Sequence, residues 1–225
     1  MRRSAGFAVL LAAASVVAAY LIAPRLLDQT PGIFRPSPTA AVPSERLSPF
    51  QRAVVGDLDR QVASNIWYQD RYYQGGDPPP HIGVCTDVVI RSFRAGGVDL
   101  RRLVASDIRG DGLAYGIARP DPNIDHRRVR NLAIFFKRHA RTLPTSGPHA
   151  DWQPGDIVVW NTHGDGVPDH IGVISDHLDS SGVPTVVHHW PGQMVAEMDW
   201  LYKLPILYHF RWRAEPAQNR SRRIT

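Results

Sequence analysis

The strongest constraint on this chain is a change of hydrophobic period near Trp152. Before it, apolar residues recur at helical spacing. After it, they fall in short β-branched and aromatic segments with alternation. Phe50, Val54, Leu58, Val62 and Ile66 form one stripe and predict an amphipathic helix. Its start carries three agreeing signals: Ser48 as cap, Pro49 in the first turn, and Gln51 placed to close a capping box. A second helix is predicted through Val84, Val88, Val89 and Phe93, stopped by Gly96-Gly97. A third is predicted from about Asp125, with Val129, Leu132, Ala133 and Phe136 inward. Lys137, Arg138 and Arg141 at its end suit the negative pole of the helix dipole. Asp156 to Trp160, His170 to Ser175, Thr185 to His189 and Ile206 to Trp212 then read as strands separated by Gly, Pro and Asp turns. Helices first and strands second predict an α+β fold.

The folded unit occupies only part of the 225 residues. Arg2 and Arg3 precede an uncharged apolar run from Ser4 to Ala23. As a helix this run would reach about 30 Å, roughly the hydrocarbon thickness of a bilayer. It reads either as a signal peptide cut at a small-residue site such as Val17-Ala18-Ala19, or as an anchor that stays in the membrane. Both readings keep the N-terminal arginines in the cytoplasm, so the remainder is expected in the periplasm or secreted. Residues 24 to 47, with Pro31, Pro36, Pro38 and Pro43, read as an extended tether. Residues 214 to 225 read as a disordered basic tail, which leaves 48 to 213 as the domain.

Composition removes several function classes. One cysteine forbids an internal disulfide and any thiolate-rich metal site. No glycine-rich phosphate loop occurs, so no nucleotide cofactor is expected. The net charge of +5 suits a protein near anionic lipid or cell wall. Nucleic acid is not an expected partner, since that needs a clustered basic face. Nothing in the sequence bears on oligomeric state.

The chemistry concentrates around Cys85, in His81-Ile82-Gly83-Val84-Cys85-Thr86-Asp87 at a loop-to-helix junction. Unpaired amides and the positive end of a helix stabilise a thiolate, which predicts a depressed thiol pKa. The same amides can donate to an oxyanion on a substrate carbonyl. A nucleophilic thiol also needs an imidazole to take its proton and a third group to orient that imidazole. His170 opens one predicted strand and His188 sits near the end of the next. Along an extended chain His170, Gly172 and Ile174 share one face, and His188 lies with Val186 and Trp190. If both faces meet the Cys85 helix, thiol, base and orienting group converge. The bland alternative is a small buried hydrophobe at position 85.

The order of these features resembles the NlpC-type branch of the papain-like cysteine peptidases, which cleave peptide bonds in bacterial cell-wall stems. Tyr73-x-Gly75-Gly76 ahead of Cys85 looks like that branch's approach to its nucleophile. Trp152-Gln153-Pro154-Gly155-Asp156-Ile157-Val158 looks like its first core strand. Asp169-His170-Ile171-Gly172-Val173-Ile174 resembles the strand with the general base, and Val187-His188 the third position. A closer similarity is to a bacterial family known as domain of unknown function 1287, through GVCTDVVIRSFRAGGVDL, DPNIDHRRVRNLAIFFKRH and QPGDIVVW.

The resemblance implies a papain-like fold of N-terminal helices on a C-terminal antiparallel sheet. It implies Cys85 as nucleophile, His170 as base and His188 as orienting group, with peptidoglycan or its peptides as partner and no cofactor or metal. The sequence departs from the branch in two places. Asp87 follows the thiol instead of preceding it, and His189-Trp190 replaces small residues, which leaves His188 and His189 both open as third residue. Tyr73 is a candidate to polarise the scissile carbonyl, and Asp87, like His189, a candidate to support the oxyanion or the third position.

Arg127 and Arg128 are candidates to clamp a substrate carboxylate, since guanidinium binds carboxylate bidentately. The alternative makes Asp125 a helix cap, with the arginines solvated or paired to acids such as Asp107. Trp190, beside the candidate histidines, is the tryptophan expected at the site. Two rival functions stand beside the hydrolase: a catalytically silent module binding wall or protein, and a metal-dependent hydrolase using His163, Asp165, His170 and His188.

Overall fold

The computed structural model describes residues 40–146 and 152–213. The N-terminal apolar run, most of the tether and the tail lie outside the described residues, as does the choice between signal peptide and anchor. Among the described residues no helix is long and apolar enough to cross a membrane.

Helix α1 spans Pro49–Ala63 and begins with the capping box read from sequence. The Ser48 hydroxyl accepts from the Gln51 amide, and the Gln51 side chain accepts from the Ser48 amide. Ile66 was expected to close its apolar stripe but lies beyond its end. The chain leaves the helix through Asn65 at φ 50°, a left-handed conformation that asparagine tolerates. Ile66 is buried nonetheless. Strand β1, Ala40–Ala41, precedes α1 and pairs antiparallel with a later strand through Leu178 and His177. The last part of the expected tether is therefore docked.

After α1, strand β2 (Trp67–Tyr68) pairs in parallel with β3 (Ile82–Gly83), setting Tyr68 beside Gly83. Helix α2, Cys85–Ala95, follows at once. Helices α3 (Leu100–Gly110) and α4 (Gly112–Tyr115) come next and were not foreseen. Asp99 caps α3 by accepting from the Arg102 amide. Asp125 does not open the next helix. It starts a 3-10 turn, Asp125–Arg127, and α5 runs Val129–His139 with Arg128 at its N-cap.

The sheet follows, with β4 Arg141–Leu143, β5 Ile157–Trp160, β6 His170–Leu178, β7 Pro184–His188, β8 Ala196–Met198 and β9 Ile206–Arg211. Its order is β4-β9-β5-β6-β7-β8, and β1 adds to the far end of β6. Every pair in it is antiparallel. The fold is α+β, with the helices against one face of the C-terminal antiparallel sheet.

The two faces of the sheet bury different residues, as strand alternation requires. Ile157, Val159, Ile171, Val173, Val187 and Phe210 pack in one cluster with Cys85, Val88, Val89 and Phe93 of α2. Phe50 of α1 meets Phe93 edge to face, with ring centroids 5.3 Å apart. On the other face Val158, Trp160, Ile174 and Val186 pack with Trp152 and Leu201. These clusters decide where each candidate residue of the sheet points.

Candidate active site

Cys85 is the first residue of α2, after Val84 in extended conformation. Asp87 fixes that start, because its Oδ2 accepts the Val84 amide at 2.8 Å. The thiol is buried, with 7% of the residue exposed. The amides of Ile171, Thr86 and Cys85 favour the thiolate. Burial is the larger effect, and the negative Asp87 adds to it, so the thiol is pushed up to about 12. This reverses the expected depression. A helix terminus is worth about 0.3–1 kcal/mol at an ordinary site, whereas burial shifts a group by up to about 3–5 pH units. Position 85 thus holds a protonated thiol in a nest of amides.

His170 and His188 come together as expected of base and orienting group. His170 Nε2 and His188 Nδ1 are 3.0 Å apart, and the rings stand at 87°. Both are buried, and both belong to the Trp160 face: the His170 ring stacks on Trp160 with centroids 5.4 Å apart. Trp190 stands edge-on to His170 at 4.9 Å, and Trp200 lies against His188 at 5.2 Å. Burial lowers His170 to about 4 and drives His188 well below its ordinary value, so both imidazoles are neutral.

The convergence expected from strand faces takes another form. The face that carries His170 and His188 is not the one on which α2 packs. Cys85 meets β6 at the amide of Ile171, the residue directly after His170, at the start of the strand. Among the described residues no hydrogen bond joins the Cys85 sulfur to an imidazole. His170 Nδ1 has no hydrogen-bond partner there either, yet it is not sealed from solvent as His188 Nε2 is. The nitrogen opposite His188 therefore remains open.

His189 takes the other direction from His188. Its ring lies edge-on to Tyr68, with centroids 5.2 Å apart, and its Nε2 reaches the Gln193 carbonyl at 3.0 Å. Burial lowers it to about 4, although Asp87 pulls it upward. His188, not His189, is thus the partner of His170. The tyrosine that feels Cys85 is Tyr68, pushed up to about 12 by burial first, then by the Cys85 sulfur once it ionises and by the Asp70 carboxylate. Tyr73 instead donates its hydroxyl to Gln69 at 3.0 Å and lies under the Arg127 guanidinium at 5.2 Å. Tyr68 was missed because its proximity comes from the β2–β3 pairing, which no local spacing announces.

Arg127 is not a free clamp. It is buried and grips Asp87 in two-pronged fashion, Nε to Oδ1 at 2.9 Å and Nη2 to Oδ2 at 2.9 Å. Its Nη1 donates to the Arg71 carbonyl at 2.7 Å, and its own carbonyl accepts from Thr86 at 3.0 Å. Asp87 is consumed by this pair and by the Val84 amide, so it holds the start of α2 and does not orient an imidazole. Asp107, the pairing expected for these arginines, is taken by Arg138. Asp125 accepts the Asp121 amide inside its own turn. Of the two candidate clamps, Arg127 and Arg128, only Arg128 is exposed.

The four donors considered for a metal-dependent hydrolase do not assemble. His163 pairs with Asp169 and His170 with His188. Among the described residues no three His, Cys, Asp or Glu side chains gather as a metal would require.

Residues 55–212 match the family described as Domain of unknown function (DUF1287), and the chain belongs to that family. It is similar to "Uncharacterized protein YijF" of Escherichia coli (strain K12), with 41% identity over 168 residues, 71% of this chain and 80% of that protein. Among solved structures it is similar to NlpC1 from Trichomonas vaginalis, with a TM-score of 0.44 and 15% identity. That alignment covers 74% of this chain, which spans 45% of the length of NlpC1.

Proposed function

We propose that this DUF1287 protein is an extracytoplasmic cysteine hydrolase that cleaves amide bonds in peptidoglycan stem peptides. One observation carries the reading. A thiol at a helix start lies against the amide that directly follows His170, and the His170 ring is held on its far side by His188. The motif resemblance and the apolar N-terminal run with its arginines supply the substrate class and the compartment.

In this mechanism the Cys85 sulfur attacks the scissile carbonyl while its proton passes to Nδ1 of His170 around the start of β6. Thiol and imidazole both rest neutral, so proton transfer accompanies attack and no ion pair precedes it. The oxyanion is met by the helix-start amides. The amide C–N bond then breaks, the leaving amine takes the proton from His170, and a thioester remains on Cys85. Water, deprotonated by His170, hydrolyses that thioester to the carboxylic acid and restores the thiol. His188 fixes the tautomer and orientation of His170 throughout. Trp190 walls the imidazole pair.

The test is digestion of purified sacculi and synthetic stem peptides under reducing conditions, by the intact protein and by Cys85→Ala and His170→Asn. Release of new amino groups by the intact protein alone supports the reading. A second reading, a catalytically silent wall- or protein-binding module of the same fold, draws on the buried, protonated thiol. Retained sacculus binding with no turnover by the intact protein supports that module.

A further inference from the structure

We propose that the cleft bounded by Arg119, Arg128 and Arg130 is a subsite for a carboxylate of the peptide ligand, beside the entry to β6; it rests on the hydrolase reading for its peptide substrate. The cleft has a volume of about 530 Å³, and its lining includes Pro168 and Asp169, the residues that lead into His170. All three arginines are exposed, and among the described residues none of them forms an ion pair. Other arginines of the domain are engaged: Arg94 and Arg101 on Asp77, Arg127 on Asp87, Arg138 on Asp107 and Asp111.

Two acids also line the cleft, but each is committed elsewhere. Asp125 accepts the Asp121 amide at 2.6 Å. Asp169 accepts the Thr162 amide at 2.8 Å and the Thr162 hydroxyl at 2.7 Å, and it pairs with His163. Three guanidinium groups thus line one concavity with two carboxylates, of which Asp169 is shared with His163, so positive charge is in excess there. An excess of positive charge is relieved by an anion. The planar donors of arginine match a carboxylate in two-pronged fashion, which a lysine could not reproduce. A carboxylate seated there would place the rest of a peptide next to Asp169-His170, so the cleft selects acidic stems over amidated ones. Arg128, once separated from its neighbour Arg127 by burial, keeps the clamp role that Arg127 loses to Asp87.

The test uses the Cys85→Ala protein, which holds peptides without turning them over. Two probes are compared: a synthetic tripeptide with a free side-chain carboxylate and a free C-terminal carboxylate, and the same tripeptide with both as amides. The acid form is expected to bind about tenfold more tightly, equivalent to about 1.4 kcal/mol. That preference is expected to vanish in Arg128→Gln/Arg130→Gln and to shrink in Arg119→Gln, with thermal unfolding reporting that each variant is folded. Equal binding of the two probes, or an acid preference that survives in the folded double variant, overturns the proposal. Because binding is read without turnover, loss of the acid preference alongside normal sacculus digestion removes the subsite alone. Acid-selective binding without digestion by the intact protein removes the hydrolase and leaves the subsite.

Discussion

The rings of His170 and His188 meet at 3.0 Å on the sheet face away from α2, while the Cys85 sulfur reaches the same strand through the amide of Ile171. The imidazole pair thus lies on one side of β6 and the nucleophile on the other, at adjacent residues of the strand's start. His188 acts through His170 as a positioning residue. Replacing His170 with Asn is expected to lower kcat by about 10²–10⁴-fold, the usual contribution of general acid–base catalysis. His188→Ala should lower kcat and displace the pH–rate profile, because the free ring changes both tautomer and basicity, whereas His188→Asn restores part of the rate. Unchanged pH–rate profiles in both His188 variants would contradict the assignment.

Protonation of buried imidazoles predicts acid sensitivity. Burial keeps His170 and His189 near about 4 and lowers His126 and His188. In the unfolded chain each titrates near about 6.5. Below that value the unfolded state takes up protons that the folded state refuses, so stability falls as pH drops from about 6.5 toward 4, by up to about 1.4 kcal/mol per pH unit for each group. His177 works the other way: burial lowers it, but the carboxylates of Glu197, Asp176 and Asp59 together raise it. Urea midpoints should fall between pH 7 and 5, and His170→Gln should flatten the slope. A midpoint independent of pH in that range would contradict this balance.

The Asp87–Arg127 pair joins the start of the nucleophile helix to the turn before α5. Removing one partner leaves the other charge buried, so Asp87→Asn or Arg127→Ala should cost about 3–5 kcal/mol. Asp87→Asn should cost less than Asp87→Ala if its amide oxygen still accepts from Val84. Chemical denaturation with an unchanged slope measures both.

Gly172 lies where β6 passes Trp160. A Cβ there would come within 2.7 Å of Val186 Cγ1 and 3.1 Å of the Trp160 ring. Gly172→Ala should cost about 1–3 kcal/mol through overpacking. The push falls on the tryptophan against which His170 stacks, so hydrolysis should drop further than stability does. An alanine variant with full stability and activity would contradict the packing described here.

Local chemistry made much of this fold legible. Ser48 and Gln51 announce the start of α1, and the alternation of Ile171, Val173 and Val187 against His170, Ile174 and Val186 announces the two faces. What the alternation does not state is which face the helices cover, and that choice separates Cys85 from the imidazole pair. The tight β-branched and aromatic runs identify the central strands, whereas the three-residue strands β4 and β8 at the edges are too short to show a period. Helix α3 went unseen because Arg101, Arg102 and Arg109 dilute its stripe of Leu100, Val104 and Ile108. Pairing of Arg127 with an acid stood among the sequence alternatives, but its actual partner Asp87 is forty positions away, and only the three-dimensional fold makes them neighbours. The thiol's protonation is set by the depth at which its helix start is buried, which no local spacing announces.

The account stands most directly on an acyl group carried by Cys85. Intact-mass spectrometry of the protein, quenched in acid during turnover of a stem peptide, should show an adduct equal in mass to the acyl portion of the cleaved substrate, located at Cys85 and absent from Cys85→Ala. Peptide cleavage that proceeds undiminished in Cys85→Ala, or an intact protein that neither cleaves the peptide nor acquires the adduct, would contradict it.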